Sequence, residues 1–244
     1  MKKASLNTLA FIVLLAFTAC KKQNSIVTPT PISSVNLVNA ASDAAPLIPD
    51  FGGSPVQWYA GAQSIAYGSS LEYSIPSGSN VSLTVVQSSD TADNLIDGTF
   101  SLGADKIYSL FVCGTVTPGG HANADYLLLQ DSIPYYPAAD SVIGIRYIDL
   151  LSDGGNISVN QQGNAVGSEV AGLPYKNSTG FKTYPATSNI SGYVFEIRDA
   201  TSQTLLTTFT LSSFVLYKNI TLVIAGSGDN PQDAVVTAFQ VNNY

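Results

Sequence analysis

Only two cysteines occur in the chain, Cys20 and Cys113, so at most one disulfide is available and the core has to be hydrophobic. Histidine is scarcer still: His121 stands alone, in the loop Pro118-Gly119-Gly120-His121, and nothing in the sequence ties it to Cys113 as a base to a nucleophile. Glutamate is confined to Glu72, Glu169 and Glu196, with no pairing suited to a two-carboxylate glycosidase. Catalysis is therefore not expected. Charged residues form 11% of the chain against about 25% in average soluble proteins. The net charge of −7 offers no basic patch for phosphates, which excludes nucleic-acid binding. No window keeps a helical period, and no apolar run is long enough to span a bilayer, which takes about 20 residues. No cofactor or dedicated metal-binding motif is evident.

What is present begins at the N-terminus. Met1-Lys2-Lys3 is followed by an apolar run from Leu9 that reaches Phe17-Thr18-Ala19-Cys20 and is closed by Lys21 and Lys22. A basic start, a short apolar stretch and a cysteine after a small residue resemble a bacterial lipoprotein signal peptide. Phe17 argues against ordinary secretory cleavage, which wants a small residue there, and also departs from the usual aliphatic residue of the lipoprotein pattern. The expectation is a signal peptide over 1–19 and an acylated Cys20 as first residue of the mature protein. Lys21, where Asp resembles a retention signal for the inner membrane, favours the outer membrane. Periplasmic face or cell surface stays open. Lys21 to Pro31 is polar and carries prolines, so 20–32 reads as a disordered tether of about 30 Å at ~3.1 Å per residue.

Two stretches of the remainder match each other. Thr99-Phe100-Ser101-Leu102 returns as Thr208-Phe209-Thr210-Leu211, and Lys106 to Gly114 returns as Lys218 to Gly226. Tyr67 pairs with Tyr175, Ser42-Asp43 with Ser152-Asp153, and Asp125 to Tyr136 with Asp233 to Tyr244. Cys113 thereby falls opposite Ala225, which makes it a small core residue. Each copy has short β-branched and aromatic runs between Gly, Pro, Asn and Asp turns. Val81-Ser82-Leu83-Thr84-Val85 and Val194-Phe195-Glu196-Ile197-Arg198 alternate with period two. The pattern predicts an all-β chain of two tandem immunoglobulin-like antiparallel β-sandwiches, 33–137 and 138–244, with about seven strands each. A barrel per copy is the rival. The short link Pro137-Ala138-Ala139-Asp140 predicts neighbouring sandwiches with limited freedom, a semi-rigid rod.

The opening Val35-Asn36-Leu37-Val38-Asn39-Ala40-Ala41-Ser42-Asp43-Ala44-Ala45-Pro46 resembles the first strand of a bacterial envelope family, domain of unknown function 4397. Members often follow that strand with Ser-Pro-Asp-Ala-Pro, of which this chain keeps the Ser, Asp and last Pro. Val56-Gln57-Trp58-Tyr59-Ala60-Gly61 is similar to the family's next strand and turn. Tyr67-Gly68-Ser69 and Pro76-Ser77-Gly78 are similar to later stretches. The resemblance implies sandwich domains, commonly in tandem in secreted or lipid-anchored proteins, and brings no catalytic residue.

Candidate contact residues lie in the first copy. An insertion, Pro46 to Pro55, places Leu47, Ile48 and Phe51 in a Pro/Gly-rich stretch, as a recognition surface or, preferentially, as packing over the sandwich end. Alternation with Val56 turns Trp58 inward and leaves Tyr59 free to stack on a sugar ring. Asp90, Asp93, Asn94 and Asp97, and Asp229, Asn230 and Asp233, could supply calcium oxygens, yet without calcium-loop spacing they read as solvated turns. Asp90-Thr91-Ala92, Asp131-Ser132-Ile133 and Asp140-Ser141-Val142 resemble a short envelope O-glycosylation motif, making Thr91, Ser132 and Ser141 candidate acceptors. The sequence points to a non-catalytic lipoprotein that presents its sandwiches for binding, adhesion or envelope organisation. The alternative is a carbohydrate-binding accessory of polysaccharide uptake. The partners expected are the membrane, through the lipid, and an unidentified protein or glycan.

Overall fold

The computed structural model describes residues 29–52, 58–116, 124–152, 155–187, 192–212, 218–227 and 235–243. All sixteen strands among them belong to one compact unit, Pro31–Tyr244. The first seven are β1 (Ile32–Asn39), β2 (Leu47–Asp50), β3 (Ser70–Pro76), β4 (Gly78–Gln87), β5 (Asp90–Leu102), β6 (Ile107–Cys113) and β7 (Asp125–Gln130). A 3-10 turn at Ala138–Asp140 leads into β8 (Val142–Leu151), β9 (Ile157–Gln161), β10 (Val170–Leu173), β11 (Asn177–Ser178) and β12 (Lys182–Pro185). The last four are β13 (Tyr193–Asp199), β14 (Leu205–Leu211), β15 (Asn219–Ser227) and β16 (Val235–Asn243). Pro31, assigned to the tether by sequence, already accepts hydrogen bonds from the Ser77 N–H and hydroxyl.

Four sheets result, and their topology repeats. The order β3-β1-β6-β7 in one half corresponds to β11-β8-β15-β16 in the other, with β12 also on β8. The partner sheets are β2-β4-β5 and β10-β9-β13-β14. Pairing is antiparallel except for one parallel pair in each half, β1 with β6 and β8 with β15. Cys113 stands opposite Asp125 and Ala225 opposite Thr237, so Asp125 is equivalent to Thr237 and Asp131 to Asn243. The sequence match of Asp125 to Asp233 is therefore four residues out of register, because Asp and Tyr at its ends imitate a longer alignment than the strands keep.

The alternation that defines the strands also explains the layers. Val35 and Leu37 on β1, and Leu110 and Val112 on β6, enter the first sandwich core with Leu83 and Val85. Ile145 and Tyr147 on β8, with Leu222 and Ile224 on β15, enter the second with Phe195 and Ile197. The intervening residues face neither core. Val38, Phe111 and Cys113 from the first half meet Ile148, Leu150, Val223, Ala225 and Val241 from the second in a third, fully buried layer. Strands with both faces buried read as continuous apolar runs, which is how Ile107–Cys113 and Val142–Leu151 are written. The two halves therefore meet sheet face to sheet face, and the semi-rigid rod expected from the short link gives way to a common core. Close approach is enforced at Gly144, where an added Cβ would stand 2.7 Å from the Tyr136 hydroxyl of the first half.

Candidate functional site

The sequence-derived candidates do not converge. Leu47 and Ile48 lie in β2, paired with Gln87 and Val86 of β4, and both are buried. Phe51 is half-buried against Tyr73 and Phe100, with ring centroids 5.1 and 6.4 Å away. Packing takes these three, and none of them forms a free recognition surface. Trp58 sits in a turn rather than on the strand its alternation with Val56 suggested, and Val56 lies outside the described residues. Its ring meets that of Tyr59 edge-on at 5.8 Å, and both are half-buried.

The three hydroxyl candidates are dispersed. Thr91 is the second residue of β5, in its hairpin with β4, Ser132 is exposed beyond β7, and Ser141 follows the 3-10 turn with φ 46°. The aspartate before Ser132 is occupied, since Asp131 is ion-paired to Arg146. Cys20, His121 and the acidic group Asp229, Asn230 and Asp233 lie outside the described residues. Asp90, Asp93, Asn94 and Asp97 fall along β5, and no group of three metal-binding side chains forms among the described residues. Cys113 is buried, 3.7 Å from the Tyr175 hydroxyl, and burial pushes its thiol up to about 11. It is a packing residue.

Apart from a Tyr147, Tyr184, Glu169 and Lys182 cluster within the second sandwich, polar groups converge between the two middle sheets, where sequence reasoning did not look. At one edge Arg146 of β8 crosses from the second half to the first. Its Nη1 donates to Asp131 Oδ1 at 2.6 Å, its Nη2 to Ser109 at 3.1 Å and its Nε to Thr221 at 2.7 Å. Ser109 in turn donates to Asp131 Oδ2, and the Phe181 ring lies 4.9 Å from the guanidinium. The side chains of Arg146 and Asp131 are 6% and 1% exposed. The available signal was Arg146 itself, the one charge before Asp149 in a ten-residue apolar strand.

At the other edge of the same interface is a half-open cavity of about 270 Å³. Asn36 of β1, Ser70 and Glu72 of β3, and Lys218, Asn242 and Asn243 at the ends of β15 and β16 line it. Asn243 is 3% exposed and accepts a hydrogen bond from Thr221, while Ser34 donates to Glu72 Oε1 at 2.6 Å. Three amides, one hydroxyl, Leu71 and one charge of each sign make up the lining. Such a set can donate and accept hydrogen bonds to a polar ligand without selecting an ion.

No family model matches the chain, and no curated protein matches it. Among solved structures, CBMbc, a family 26 carbohydrate-binding module of Amy13K from Eubacterium rectale in complex with maltoheptaose, aligns with 84% of this chain and 96% of its own. Identity is 13% and the TM-score 0.25, and no residue is carried across.

Proposed function

We propose that the chain is a non-catalytic, lipid-anchored envelope protein of the outer membrane whose fused β-sandwiches serve as a binding body. The observation that carries this reading is Cys20 in its setting of basic start, short apolar run and preceding Ala19. The fold is consistent with it, because the three stacked cores leave the one described thiol buried and its pKa raised to about 11, unsuited to nucleophilic chemistry. Attachment through acyl chains contributes about 0.8 kcal/mol per buried methylene and needs no protein helix. Cys20→Ser tests the reading: the variant should move from the membrane to the soluble fraction with an unchanged thermal transition. Retention on membranes in high salt contradicts it.

A second reading, a glycan-binding accessory of polysaccharide uptake, is favoured by the Trp58 and Tyr59 pair, two half-buried rings on one turn. Aromatic faces on a turn stack on sugar rings at low conformational cost. On a glycan array, Tyr59→Ala should abolish oligosaccharide capture. No capture by the native protein at millimolar glycan removes this reading.

A further inference from the structure

The two edges of the inter-sheet interface are one site built twice, and only one of them is filled. Register makes Ser109 equivalent to Thr221, Asn36 to Arg146 and Asp131 to Asn243. The equivalence extends to hydrogen bonds, since Ser109 donates to Asp131 and Thr221 to Asn243. Three substitutions separate the edges. Asn36 stands where Arg146 would bring a guanidinium, and Asn243 replaces the carboxylate that would hold it. Glu72, paired with Asn36, takes the place beside it that Phe181 occupies beside Arg146, between β11 and β12. The space left by the shorter side chain is the cavity of about 270 Å³.

We propose that this cavity is a binding site for a neutral, ring-sized polyhydroxyl ligand, a free monosaccharide. Asn36 offers an amide donor and acceptor, Asn243 its Nδ2 donor, since its Oδ1 already accepts from Thr221, and Ser70 a hydroxyl, which together meet what a sugar hydroxyl requires of its partners, while Leu71 adds apolar surface for a ring face. Glu72 and Lys218 carry opposite charges on the rim, so the lining as a whole favours neither an anion nor a cation. The volume lies just below the range of about 300–1,000 Å³ typical of pockets for larger small molecules, which selects one ring over a chain. The site is distinct from the Trp58 and Tyr59 turn and from Cys20, so its failure leaves the anchoring and the aromatic reading untouched.

Saturation-transfer NMR on the detergent-purified full chain tests it, with glucose, galactose, mannose and N-acetylglucosamine presented singly at millimolar concentration and alanine as a zwitterionic control. At least one sugar should give saturable transfer. Asn36→Arg, which restores the guanidinium of the filled edge, should abolish the signal and preserve the thermal transition. Glu72→Ala on the exposed edge strand should weaken binding about tenfold. No transfer from any of the four sugars, transfer that survives Asn36→Arg, or transfer from alanine alone overturns the proposal.

Discussion

Asn39 and Asp149 occupy the same position in the two halves, and only Asn39 satisfies its whole side chain. Asn39 Oδ1 accepts from the Ala41 N–H at 3.1 Å, and Asp149 Oδ1 accepts from the Leu151 N–H at 2.9 Å. Asn39 Nδ2 also donates to the Ile65 carbonyl at 3.0 Å, whereas Asp149 Oδ2 is buried without a hydrogen-bond partner. Both residues are 0% exposed.

Asp149 should therefore make stability fall as pH rises. Burial raises its pKa to about 7, although the Leu151 N–H pulls the other way. The folded state then keeps a proton that the unfolded chain loses near pH 3.9. Stability declines between about pH 4 and 7 and levels off above, by an upper bound of about 4 kcal/mol. Asp125 and Glu169 are held low, despite burial, by Lys176 and Lys182, so they act with opposite sign at lower pH. Asp149→Asn supplies an amide donor of the kind that Asn39 directs at the Ile65 carbonyl. Thermal unfolding across pH 4 to 8 should lose its downward slope in this variant and shift upward at pH 8. A slope identical to that of the native protein contradicts the assignment.

Arg146 should be more costly to remove alone than together with its partner. Arg146→Met leaves the Asp131 carboxylate buried and unpaired at the junction of the halves, a loss of about 3–5 kcal/mol. Arg146→Met with Asp131→Leu removes both charges and should recover most of it. Urea unfolding of the two singles and the double measures the coupling, and additive losses show that the pair is not a unit.

Cys113 should resist modification until the chain unfolds. Its 0% exposure and raised pKa predict no labelling by iodoacetamide at pH 8 in the native state and full labelling in denaturant. Cys113→Ala, matching Ala225 across the repeat, should cost about 1 kcal/mol or less, whereas rapid native labelling would place the thiol at the surface.

The strands were legible because their alternation is local. Phe195 and Ile197 are buried and Val194, Glu196 and Arg198 half-buried, as period two requires. Layering was not legible, since Phe111 and Leu110 are equally apolar and nothing local tells that one faces the other half and the other its own core. The insertion residues Leu47 and Ile48 form a strand because Pro46 to Asp50 pairs with β4, a partner nearly forty residues away in sequence. The interface cavity was hidden for the same reason, since Asn36 and Asn243 become neighbours only once the sheets stack. The repeat held the clue, because aligning the strands by register sets Asn36 opposite Arg146.

Attachment through Cys20 is the claim on which the functional reading stands, and the intact mass of the natively expressed protein from the membrane fraction tests it most directly. The account predicts a chain that begins at Cys20 and exceeds its peptide mass by two or three acyl chains with glycerol. A further surplus of hexose units would assign the glycan acceptors among Thr91, Ser132 and Ser141. A protein that keeps residues 1–19, begins at another residue or carries no lipid on Cys20 contradicts the account.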